Sequence, residues 1–81
     1  MSLVVYSRQG CHLCDELLEE LLPLVRGRLG VEVRDIDTRD DWRETYNTRI
    51  PVVEYDGEAV CEYHLDSDRI LSLLRARDSA N

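Results

Sequence analysis

Gly10-Cys11-His12-Leu13-Cys14 stands where a short apolar run gives way to a helical pattern, and its reading decides the fold. Before it, Leu3, Val4, Val5 and Tyr6 form a continuous apolar stretch, as in a strand buried on both faces. Ser7 to Gly10 break that pattern. After it, Leu13, Leu17, Leu18, Leu21, Leu22, Val25 and Leu29 recur at spacings of three and four, a wide helical stripe. A CxxC at such a junction has a chemical use. Unpaired N–H groups and the helix dipole stabilise an anion there, so Cys11 becomes a thiolate more easily. Cys14, one turn later, is near enough to attack a mixed disulfide. Cys11 is therefore the expected nucleophile and Cys14 the resolving thiol. A disulfide across so short a loop restricts the unfolded chain little, which makes it a poor structural staple.

Beyond the stripe, Asp15 and Glu16 suit a helix start, Pro23 is expected to kink the helix, and Gly27 and Gly30 offer stops. Val31 to Ile36 read as a second strand. Asp37 or Thr38 can cap a short helix through Trp42 to about Tyr46, where these two aromatics, four apart, should pack. Asn47 suits a left-handed C-terminal cap. Ile50-Pro51 opens a third strand, Val52 to Tyr55, and Asp56-Gly57 reads as a two-residue hairpin turn into Glu58 to Tyr63. Asp66 can cap a last helix carrying Ile70, Leu71, Leu73 and Leu74, with Leu65 and Ile70 as a hydrophobic staple and fraying expected after Arg77. The order is β-α-β-α-β-β-α: a four-stranded mixed sheet of class α/β with helices packed on it. Residues 1–81 read as a single domain without repeat or linker.

Composition narrows the function classes. The chain has 81 residues, and a domain of that size buries only about 60% of its unfolded surface. With 43% hydrophobic residues in regular spacing, a small core is still expected rather than disorder. A net charge of −7 argues against nucleic acid or an anionic membrane as partner. The N-terminus MSLVVYSRQG lacks the pattern of a signal peptide, so the cysteines are expected in a reducing cytoplasm. A monomer is expected. A zinc site wants four ligands, usually as two pairs, whereas this chain has one CxxC plus Cys61, His12 and His64 standing singly. No metal is therefore assigned.

The stretches VVYSRQGCHLC (Val4 to Cys14) and TRIPVVEYDG (Thr48 to Gly57), together with the element order, resemble the thioredoxin superfamily, most closely the glutaredoxin-like proteins. The resemblance runs from Leu3 to about Leu74. It implies a thioredoxin-like fold and a cis bond before Pro51, beside the CxxC. It also implies that the backbone of Ile50 pairs with an extended substrate. Arg8 matches a basic position that contacts glutathione in many glutaredoxins, and Arg49 is a second candidate for an anionic group; both could instead be solvated. Two features depart from the family. Cys61-Glu62-Tyr63-His64-Leu65-Asp66 stands where glutaredoxins carry a Gly-Gly pair, and the dipeptide between the cysteines is His-Leu.

The expected function is that of a thiol–disulfide oxidoreductase acting on protein or low-molecular-weight disulfides. It would hold no tightly bound cofactor and be recharged by glutathione or a thioredoxin reductase-like enzyme. The alternatives are a non-catalytic binding or redox-sensing module of the same fold and, more remotely, a metal-binding module. His12 either tunes the Cys11 thiolate or is merely solvated. Cys61 is either a third redox centre or a small buried residue, and His64 reads as a surface residue in a turn.

Overall fold

A computed structural model describes residues 2–79. Strand β1 (Ser2–Ser7) leads through a turn to helix α1 (His12–Val25), which returns the chain to β2 (Gly30–Asp35). A 3₁₀ turn (Ile36–Thr38) and helix α2 (Asp40–Tyr46) follow, then the hairpin β3 (Val52–Tyr55) and β4 (Glu58–Glu62), and finally α3 (Ser67–Ser79). The expected order is observed. The sheet runs β2-β1-β3-β4, with β1 parallel to β2 and antiparallel to β3. Parallel neighbours need a crossover, and α1 supplies it.

The two-residue period of the strands sorts the core into two faces. Leu3 and Val5 of β1, with Val53 of β3, pack under Leu17, Leu21 and Val25 of α1 and Ile70 and Leu74 of α3. Tyr6 and Val52, opposite one another in register, face the other way with Ile36, against Trp42 and Tyr46 of α2 and Ile50. Tyr6 stacks on Tyr46 at 3.9 Å between ring centroids and meets Trp42 edge-on at 5.8 Å. The two α2 aromatics thus share Tyr6 as a partner.

Several local expectations hold. Asp56 and Gly57 take φ of 53° and 82°, the left-handed pair that a tight hairpin turn requires. Asp66 caps α3, its Oδ1 accepting the N–H of Arg69 at 3.1 Å, and Leu65 packs into the cluster that holds Ile70. Gly27 turns the chain after α1 at φ 78°.

Pro23 lies in the last turn of α1, which continues to Val25. Other expectations are corrected. β2 ends at Asp35, so Ile36 belongs to the 3₁₀ turn. Neither Asp37 nor Thr38 caps α2: Arg39 precedes it without a side-chain bond, because the Asp37 carboxylate is held by Arg8 and the Thr38 hydroxyl donates to the Asp35 carbonyl. Asn47 is right-handed (φ −50°), since the turn closes instead through Arg49 and Ile50 N–H groups donating to the Tyr46 carbonyl. Residues past Arg77 remain helical to Ser79, where the Asp78 carboxylate accepts from Arg28; the rest of the tail expected to fray lies outside the described residues.

Candidate active site

The turn after β1 is shaped by Gly10, whose φ of 79° suits a residue without Cβ, and by the Cys11 N–H donating to the Arg8 carbonyl at 3.2 Å. Cys11 then occupies the N-cap of α1 with extended backbone (φ −83°, ψ 105°). Its Sγ accepts the N–H of Cys14 at 3.2 Å, the place a serine or aspartate oxygen would take in an ordinary cap. The two cysteines form a disulfide with Cα atoms 5.2 Å apart, inside the usual range. Cys14 is 1% exposed whereas Cys11 is half-buried, so one sulfur of the pair is within a partner's reach and the other is not.

The Ile50–Pro51 bond is cis. Because Tyr6 lies opposite Val52, Pro51 and the Arg8–Cys11 turn leave the sheet at the same end. The Pro51 carbonyl accepts the N–H of Tyr63 at 2.8 Å, and the Tyr63 hydroxyl donates to the Thr48 carbonyl at 2.7 Å. These two bonds clip the β4–α3 connection to the proline segment. The Ile50 N–H donates to the Tyr46 carbonyl at 3.2 Å.

The two arginines singled out in the sequence each hold a carboxylate. Arg8 donates through Nε and Nη2 to the two oxygens of Asp37, both at 2.9 Å, and this guanidinium holds the Asp37 carboxyl below its usual range. Arg49 pairs with Glu62 and lies over the Tyr46 ring, 5.3 Å from its centroid. Asp37 and Glu62 are site neighbours that the sequence did not announce, being 29 and 13 residues from their partners.

His12 is exposed and stands 3.7 Å from Glu16, which opposes any cationic help to Cys11. Cys61, on β4 opposite Val53, is free and buried; its sulfur accepts the N–H of Asp66 at 3.3 Å, and burial pushes its thiol up. His64 is exposed. Among the described residues no group of three or more His, Cys, Asp or Glu is placed to hold a metal ion. A groove of about 190 Å³ lies between Leu13, Glu16, Leu17 and Glu20 of α1 and Tyr63, His64 and Leu65. Sequence periodicity placed Leu13 in the core stripe, but it is 39% exposed and lines this groove.

The glutaredoxin-like domain (DUF836) matches residues 2–75. A protein from Nitrosomonas europaea, solved by solution NMR, is 39% identical with a TM-score of 0.77, over 89% of this chain and 88% of that one. A protein from X. campestris, solved by X-ray crystallography, is 29% identical with a TM-score of 0.73, over 93% and 97%. Thioredoxin 1 from Thermosipho africanus is 12% identical with a TM-score of 0.65, over 96% and 99%; that likeness shows the thioredoxin-like fold alone. No protein among the curated sequences matches.

Proposed function

The chain belongs to the glutaredoxin-like domain family, and from that premise we propose that it is a thiol–disulfide oxidoreductase working through Cys11 and Cys14. The observation that carries the reading is the pair itself: a reachable sulfur at a helix N-cap, receiving an N–H, with a buried sulfur at bridging distance. In the reduced protein the Cys11 thiolate attacks one sulfur of a substrate disulfide, and the other substrate sulfur leaves and takes a proton. Cys14, losing its proton, then attacks the Cys11 sulfur of the mixed disulfide and releases the second substrate thiol. Two electrons pass to the substrate, and the protein is left as the Cys11–Cys14 disulfide. Substrate binding falls to the carbonyl of Ile50, which precedes the buried cis Pro51, with Arg8 and Arg49, paired with Asp37 and Glu62, as the neighbouring cations. Glutathione or a thioredoxin reductase-like enzyme returns the dithiol to its reduced form.

Disulfide reduction followed separately with glutathione and with thioredoxin reductase tests the reading. Turnover with either, abolished by Cys11→Ser, is the expected result. A dithiol that neither reductant turns over would favour the redox-sensing module. No helix among the described residues is long and apolar enough to cross a membrane, and the cytoplasm is the proposed compartment.

A further inference from the structure

The groove between α1 and the β4–α3 connection mixes apolar side chains with two carboxylates. Leu13, between the two cysteines, and Tyr63, clipped to Pro51, are 39% and 45% exposed and line it together with Leu17 and Leu65. Exposed hydrophobics of this size beside a reactive centre offer a partner a contact. Glu16 and Glu20 border the groove, one helical turn apart on α1. The arginines singled out in the sequence are bound elsewhere, Arg8 on Asp37 and Arg49 on Glu62, while the exposed His12 stands 3.7 Å from Glu16. His64 is exposed and lines the groove as well. The chain as a whole carries −7.

We propose that the groove selects its substrate by charge: a protein disulfide flanked by basic and apolar residues, the apolar one resting on Leu13 and Tyr63 and the basic one meeting Glu16 and Glu20. The proposal rests on the oxidoreductase reading and names its substrate class. The same field works against an anionic disulfide as substrate, because Arg8 and Arg49 already hold Asp37 and Glu62.

The test uses two disulfide-bridged peptides, identical except for arginine or glutamate beside the cystine. The reduced protein is mixed with each in a single turnover, and every rate is divided by that of dithiothreitol with the same peptide. The arginine peptide should react about tenfold faster at low salt, with the ratio falling towards one at about 1 M salt, where the Debye length is about 3 Å. Glu16→Gln with Glu20→Gln should narrow the ratio. Equal rates, a glutamate preference, or an arginine preference that survives both high salt and the double substitution would overturn the charge selection while leaving the oxidoreductase in place. If dithiothreitol reduces both peptides and the protein reduces neither, the oxidoreductase reading falls, and the selection with it.

Discussion

The backbone N–H of Cys14 points at the sulfur of Cys11, 3.2 Å away, so the helix begins by donating a hydrogen bond to the atom proposed to attack. A donor in that position favours the charged form of a thiol, as does the helix N-terminus. In the reduced protein Cys11 is expected to titrate below the free-cysteine value of about 8.5 and below Cys14. Alkylation rates against pH, followed by peptide mapping, check this, and faster modification of Cys14 at neutral pH would reverse the two roles. Cys14→Ser should accumulate mixed disulfides on Cys11, because nothing remains to resolve them.

Asp37 offers a test of the Arg8 pairing. The hydrogen bonds from Arg8 lower its pKa in the folded protein, so the pair favours folding fully above the unfolded value of about 3.9. That contribution fades as pH falls through the depressed folded value. A carboxyl-detected NMR titration should place the Asp37 midpoint below 3.8. In Arg8→Gln the midpoint should rise towards the ordinary range. An unchanged midpoint would mean that the pair does not form in solution.

Cys61 should behave as the opposite of Cys11. It is 6% exposed and burial raises its pKa, so the native protein at pH 8 should leave it unmodified by iodoacetamide under conditions that label reduced Cys11. Denaturant should open it to labelling at the rate of an ordinary thiol. Mass spectrometry of the labelled peptides distinguishes the two, and a dominant Cys61 label in the native state would revive the idea of a third redox centre.

Tyr6 carries the second face of the sheet, stacked on Tyr46 and edge-on to Trp42. Removing a buried aromatic ring of this kind costs about 3–5 kcal/mol, and Tyr6→Ala is expected to fall in that range. Urea unfolding followed by Trp42 fluorescence measures it, since Trp42 is the one tryptophan in the chain. A loss below about 1 kcal/mol would show that α2 packs without its central ring, as expected of surface rather than core changes.

The sequence by itself determined much of what depends on neighbours two to four residues apart. The spacing of Cys11 and Cys14 at a strand–helix junction, the Asp56-Gly57 turn, the Asp66 cap and the leucine stripe of α1 are of this kind, because backbone geometry alone brings those groups together. The same local reasoning failed at Asp37, Thr38 and Asn47. Each has a side chain suited to a cap, and each was outbid by another bond: Asp37 by Arg8, Thr38 by the Asp35 carbonyl, Asn47 by the turn closing on Tyr46. Arg8 meets Asp37 across 29 residues because β1 and β2 lie parallel in one register, which sets the ends of both strands side by side. Tyr63 reaches Pro51 through the hairpin, and Leu13 is left facing a groove only once the β4–α3 connection is clipped opposite it. Contacts between distant segments follow from strand register and helix packing, which the whole core sets at once. The dithiol was therefore readable from the chain, whereas the charge and shape of what surrounds it were decided by the tertiary structure.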